Sequence, residues 1–396
     1  MQAWLNSLIA RGTFGSHPPT MLIYAIGITI FCAIVLFAIA VPFASVVTWV
    51  ERRVWARIQS RIGPNRVGPN GFLQWLADGI KHVCKEDLIP TEADRRLFKL
   101  APYLVVLAFI LPWAVMPFSS VLILADLNVG ILYMTAVTAL TVVGVLMAGW
   151  ASNNKWSLIG GIRSAAQIIS YEIPAGLSIF PVVLITGTLS MQGIILGQGW
   201  SPDRWFMFAN PFCFIAALIL FIAGLAENNR TPFDLPEAES ELVAGFATEY
   251  SSMRYLFFFM AEWGNMFVSS AIVVTLYMGG WQFPHITSNP LTMNLLQLIA
   301  FNVKVLFLVF VSMWVRGTLP RVRIDQMMSL CWKYLVPIAF IDMIGTAVWV
   351  AIWPDGNPVA SWIMLALGVV AAIFFISRVI HYTRQSRMAL YLHPTI

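Results

Sequence analysis

Charge is scarce in this chain. Only 11% of its 396 residues are Asp, Glu, Lys or Arg, against roughly 25% in an average soluble domain. That shortfall excludes an ordinary water-soluble globular protein. Clustered thiols are lacking too. Cys32, Cys84, Cys213 and Cys331 stand far apart and form no C-x-x-C, which excludes zinc or iron–sulfur ligation by this chain alone. His17, His82, His285, His381 and His393 fall in predicted loops, tails or helix ends, so no pair within the membrane can hold a haem. There is no P-loop, no G-x-G-x-x-G at a strand-to-helix turn, no repeat and no extramembrane segment long enough for a soluble enzyme domain. The chain is expected to carry no metal and no redox centre of its own.

What is abundant is apolar sequence, at 59% of residues. Runs of about 20 apolar residues, enough to cross a bilayer, recur along the whole length. The expected class is an all-α polytopic membrane protein. About nine spans are predicted, near 21–50, 100–124, 131–151, 172–196, 209–226, 255–280, 294–316, 332–353 and 359–380. The first run is too long for a cleaved signal peptide and is read as a retained span. Alternate connections carry 21 of the 24 lysines and arginines, while the opposite side carries only Arg11 and Arg204. This positive-inside asymmetry predicts an outside N-terminus and a cytoplasmic C-terminus.

One stretch, "ERRVWARIQSRIGPNRVGPNG", follows the first apolar run and holds Glu51, Arg52, Arg53, Arg57, Arg61 and Arg66. Arg53, Arg57 and Arg61 are spaced to share one helical face. Such a stripe suits a topology anchor on lipid phosphates. The two Gly-Pro-Asn units, however, predict tight turns and a fixed loop geometry that a simple anchor does not need. The next segment, "GFLQWLADGIKHVCKEDLIP", is amphipathic. Phe72, Leu76, Ile80 and Val83 line one face, with Asp78, Lys81 and Lys85 on others. It reads as an interfacial helix, and docking against a cytosolic partner fits equally well.

A second constellation, "AENNRTPFDLPEAESELVAGFATEYSSMR", contains Glu227, Asp234, Glu237, Glu239, Glu241 and Glu249. Like charges at i, i+4, such as Glu237 and Glu241, repel by roughly 0.2–0.5 kcal/mol when exposed. In a partly buried site the relief is proton uptake. A solvated acidic loop is the plain reading. Its position between two spans on an otherwise basic face favours a cluster with coupled, raised pKa values that takes up and releases protons.

Ionisable residues also fall inside spans or at their ends: Glu172, Glu262, Lys304 and Asp342. A charge near the bilayer centre costs at least about 2.5–3.5 kcal/mol. Their spread over several spans suggests a polar path rather than one structural pair. The last charged connection, "WVRGTLPRVRIDQMM", adds Arg316, Arg321, Arg323 and Asp325 on the same side. Three connections thus bring opposite charges to one membrane face. They suit a chamber open to lipid, holding a substrate with a polar head and an apolar tail.

These three motifs closely resemble the quinone-site membrane subunit of bacterial proton-pumping NADH:quinone oxidoreductase, respiratory complex I. The likeness runs from about Val41 to the end of the eighth span. It implies a subunit at the junction of membrane and peripheral arms. Its cytoplasmic loops would enclose a quinone chamber with two peripheral-arm subunits. Quinone is then the substrate, while NADH, FMN and iron–sulfur clusters belong to partner subunits. Other partners implied are neighbouring small membrane subunits and membrane lipid, with no nucleic acid.

Carried over by position, Glu51, Arg52, Asp78 and Lys81 are expected around the quinone chamber, where the charge pattern of the connections also places Arg57, Arg61, Arg316, Arg321 and Arg323. Glu172, Glu227, Glu237, Glu239, Glu241, Glu249, Glu262, Lys304 and Asp342 are expected in the same way in proton coupling, and the acidic stretch itself adds Asp234. The location implied is the bacterial plasma (inner) membrane. The layout expected is one membrane domain, with an N-terminal extension (1–20), an eight-span core (21–353) and a further span with its tail (354–396). Competing readings are a related energy-converting hydrogenase or quinone-linked dehydrogenase, and a stand-alone ion transporter. The latter is disfavoured by the missing repeats and one-sided charge.

Overall fold

The computed structural model describes residues 41–236, 239–287, 289–354, 356–357, 359–370, 373–374 and 377–378. The expected N-terminal extension, most of the first predicted span and the end of the tail lie outside the described residues. All regular structure among the described residues is helical.

In chain order the elements are α1 (Val41–Ile58), α2 (Gln74–Cys84), α3 (Arg95–Ile110), α4 (Gly130–Thr138), α5 (Leu140–Ala151), α6 (Lys155–Thr186) and α7 (Pro211–Glu227). They continue as α8 (Glu239–Leu242), α9 (Ser252–Tyr277), α10 (Pro290–Thr318), α11 (Ile324–Ser329), α12 (Val336–Ile352) and α13 (Val359–Val370). Helix starts follow local chemistry. Asp94 caps α3 by accepting from the Arg96 and Leu97 amides. Asn154, Asn210 and Asn289 cap α6, α7 and α10 in the same way, with proline just inside the last two.

Among the described residues, six helical stretches are long and apolar enough to span a membrane: 95–114, 130–151, 155–186, 252–277, 290–318 and 324–352. The shorter α7 and α13 are also apolar. The predicted fourth span, 172–196, is displaced. The helix begins at Lys155 and ends at Thr186, where Gly187 at φ +65° closes it. Pro174 and Pro181 are therefore internal to α6, and the helix runs on through both.

Two internal prolines show how continuity is kept. Pro102 in α3 cannot donate to the Phe98 carbonyl, and the Tyr250 hydroxyl donates to it instead at 3.1 Å. Pro174 frees the Ser170 carbonyl, which accepts from the Cys331 thiol at 3.0 Å. Each proline is thus tied to a distant segment that fills the gap.

Helix α9 lies at the centre, with 72% of its most apolar stretch buried against 22% for the 324–352 segment. Gly264 lets α3 come close, since a Cβ there would stand 1.9 Å from a ring carbon of Phe109. The two ends of the bundle are tied separately. At the charged end, the Ser252 hydroxyl donates to the His82 carbonyl and the Val322 amide to the Pro232 carbonyl. At the opposite end, Gln198 donates to the Thr275 carbonyl and accepts from the Gly279 amide.

Candidate functional site

Glu51 occupies the last two turns of α1 and is only 3% exposed. Its Oε1 accepts from Arg316 Nη1 at 2.8 Å and Arg230 Nη1 at 3.4 Å. Arg316 comes from the last turn of α10, with its guanidinium over the Trp55 ring at 4.6 Å. Arg230 comes from the connection after α7 and is 2% exposed. Its Nε stands 2.9 Å from Glu262 Oε1 of α9, and its guanidinium lies 4.0 Å over the Trp263 ring. Two carboxylates and two guanidiniums from four segments therefore meet in one buried group. An unpaired charge at such depth would cost several kcal/mol, which the opposite charges in contact offset, while Glu51 Oε2 and Arg316 Nε have no hydrogen-bond partner among the described residues.

Around this centre lie more exposed pairs. Arg52 Nη1 donates to Asp78 at 2.7 Å, linking α1 to the amphipathic α2, and Gln74 reaches the same carboxylate at 3.1 Å. Lys81 is exposed. Phe72, Leu76, Ile80 and Val83 are all exposed, as suits an apolar face turned to lipid. Glu241 in α8 accepts from Arg163 at 2.7 Å and Arg321 at 3.1 Å. The Arg163 hydrogen bond, with the charges of Arg321 and Arg323, holds its carboxyl below the usual range, the reverse of the raised value expected of the acidic cluster, because the group is paired with arginines rather than with other carboxylates. The backbone amide of Arg323 donates to Gln326 at the start of α11. Glu249 accepts from Asn154 at 2.6 Å, and Arg254 pairs with Asp87 at 3.0 Å.

The arginine stripe is shorter than the spacing predicts. Helix α1 ends at Ile58, so Arg61 lies outside it and donates to Gln59. Arg53 turns back to the Pro64 and Asn70 carbonyls and pins the Gly-Pro-Asn loop. Gly71, at φ +73°, meets Pro64 so closely that a Cβ would lie 2.3 Å from its carbonyl. Arg57 is exposed and lines an apolar groove of about 530 Å³ between α1 and α10, with Val54, Phe310 and Trp314.

Deeper in the bundle, a cavity of about 30 Å³ is lined by Thr141, Glu227, Asn228, Asn229, Glu262 and Asn265. That volume is enough to hold ordered water. Glu227 and Glu262 bring two carboxyl groups from α7 and α9 to this cavity. Asp342 is 2% exposed, and among the described residues neither carboxyl oxygen has a hydrogen-bond partner. Lys304 sits apart from the acids of the cavity. Its Nζ donates to the Met278 and Gly280 carbonyls at 2.9 and 3.0 Å, just past the end of α9. Asp234 is half-buried. Glu237 and the Glu239 side chain lie outside the described residues. Among the described residues no group of three or more His, Cys, Asp or Glu is placed to hold a metal ion.

Two central residues escape a reading of the sequence alone: Arg230 and Arg163. Both appear there only as loop cations. A lone arginine immediately before a run of carboxylates, between two spans, is the signal that marks Arg230.

The chain is similar to known proteins along most of its length. The sequence model of the family described as NADH dehydrogenase matches residues 30–347. The chain is 53% identical over 362 residues to an NADH-quinone oxidoreductase subunit of Anaeromyxobacter dehalogenans, covering 87% of this chain and 88% of that one. It is 46% identical over 336 residues to the subunit of the same name from Chlorobaculum tepidum, covering 83% and 93%. It is 44% identical over 322 residues to NADH-quinone oxidoreductase subunit 8 of Rhodothermus marinus, covering 78% and 93%.

Proposed function

The chain belongs to the NADH dehydrogenase family, and from that premise we propose that it is the membrane subunit that walls the quinone chamber of a proton-pumping NADH:quinone oxidoreductase. The complex oxidises NADH and reduces quinone to quinol. FMN and iron–sulfur clusters in partner subunits carry the electrons. This chain supplies the surface on which the quinone head docks and the carboxylates that respond to its reduction. Two peripheral-arm subunits close the chamber, and small membrane subunits flank the bundle.

The observation that carries this reading is the meeting at Glu51 of three separate connections: the arginine-rich end of α1, Arg230 of the acidic connection and Arg316 of the last one. Glu241, held by Arg163 and Arg321, repeats the pattern nearer the surface. The head of a lipid-soluble quinone would meet Glu51, Arg52, Asp78, Lys81, Arg316, Arg321 and Arg323 at this end. Arg57 and Arg61 would form the rim nearest lipid. Reduction changes the charge in the chamber. Asp234, Glu237, Glu239, Glu241 and Glu249 take up or release protons in response. Glu262, Glu227 and Glu172, around and beside the small cavity, carry that change inward, with Asp342 and Lys304 further along.

The topology that goes with this function has nine spans, an outside N-terminus and a cytoplasmic charged end, in the bacterial plasma membrane. Residues 21–353 form the quinone-site core, preceded by a short extension and followed by one further span. The test is Glu241→Gln in membranes containing the assembled complex. Quinone reductase activity should fall while NADH oxidation by an artificial acceptor stays. Both activities at wild-type level would end the role assigned to Glu241.

A further inference from the structure

We propose that Arg230 is a positioning residue: a shared counter-ion through which a change of charge at Glu51 is transmitted to Glu262. The inference rests on the reading of the charged end as the quinone-facing side.

The Arg230 guanidinium lies between carboxylates from two different helices. Nη1 is 3.4 Å from Glu51 Oε1 of α1, and Nε is 2.9 Å from Glu262 Oε1 of α9. A guanidinium offers five donors in one rigid plane, so it can hold two acids on two edges at once. Trp263, 4.0 Å from the guanidinium carbon, supports one face of that plane. The cation is thus fixed in orientation but unequally shared. The Glu262 contact is close, and the Glu51 contact is at the long limit and can shorten or open.

The surrounding charges make this sharing consequential. Glu51 also binds Arg316 at 2.8 Å. Glu51, Glu262, Arg230 and Arg316 together sum to zero. Charge interactions are several-fold stronger here than in water, because the group is buried. If Glu51 is neutralised or drawn toward a charge in the chamber, the field of Arg230 falls more fully on Glu262. Arg230 also directly follows Asn228 and Asn229, which line the small cavity shared by Glu227 and Glu262. Its place is therefore between the chamber-side acid and the start of the inward path, touching both acids and belonging to neither helix.

The experiment is a double-mutant cycle on the intact complex in its membrane, using Glu51→Gln, Arg230→Met and the double variant. Artificial-acceptor activity reports assembly. The deciding readout is protons translocated per quinone reduced, from dye quenching measured at matched turnover. With Arg230 present, Glu51→Gln should lower that ratio. In the Arg230→Met background the same change should have no further effect. An undiminished Glu51→Gln effect in that background overturns the proposal. Should Arg230→Met fail to assemble, Arg230→Gln replaces it. Glutamine keeps hydrogen-bonding capacity but not the charge, and the same two outcomes decide. If Glu51→Gln has no effect with Arg230 intact, the chamber reading of Glu51 fails, and this inference falls with it.

Discussion

Arg52 and Asp78 are joined at 2.7 Å across 26 residues, so the exit of α1 and the amphipathic α2 are held at a fixed separation. Both side chains are partly exposed, and such pairs contribute roughly 0–1 kcal/mol. Asp78→Ala should therefore barely change the melting of the complex. It should instead speed amide exchange across Gln74–Cys84 and raise the KM for quinone. Unchanged exchange in α2 would show that its position does not depend on this link.

Glu241 gives the pH dependence. Arg163, and then Arg321 and Arg323, hold its carboxyl below the usual carboxylate range. A depressed pKa stabilises the ionised folded form above the unfolded value, near 4.3 for Glu, and the benefit is lost as pH falls through the folded value. The melting difference between wild type and Glu241→Gln should be fully present above about pH 5 and shrink below about pH 4. A difference that grows on acidification would contradict the pairing.

Tyr250→Phe isolates one hydrogen bond. The hydroxyl fills the gap left by Pro102 at the buried Phe98 carbonyl, and the two rings stack at 4.0 Å. Removing the oxygen keeps the stacking but leaves the carbonyl unsatisfied, at about 1–3 kcal/mol. Thermal melting of the assembled complex should show that loss, with quinone affinity unchanged.

Asp342 predicts the opposite balance. Its carboxyl is buried, with neither oxygen hydrogen-bonded among the described residues. A group held at such expense is a functional candidate. Asp342→Asn should leave thermal stability equal or higher while lowering proton translocation. A clear loss of stability with normal pumping would mark it as structural.

The helical class, the three charged motifs and their presence at one end of the bundle are legible in the sequence, because hydropathy and fixed charge act over short stretches. The partners of those charges are not. The carboxylate run opens after Thr231, so Arg230, the cation that joins Glu51 to Glu262, stands just outside it. Arg163 reads as a loop residue because apolar patterning starts the next span at 172. In fact α6 begins at Lys155, well before its apolar run, and carries Arg163 out to Glu241. Arg61 shows the reverse error, since helical spacing continues in the sequence after the helix has stopped at Ile58. Periodicity describes a face only while the backbone remains helical.

Lys304 gives the central helix a fixed end. Its ammonium grips the carbonyls of Met278 and Gly280 just beyond Tyr277, so the far tip of α9 is anchored. The other tip is held as well, by the Ser252 hydroxyl on the His82 carbonyl and by Arg254 on Asp87. A rod clamped at both tips keeps its middle in place, so Glu262 meets Arg230 from a stationary support.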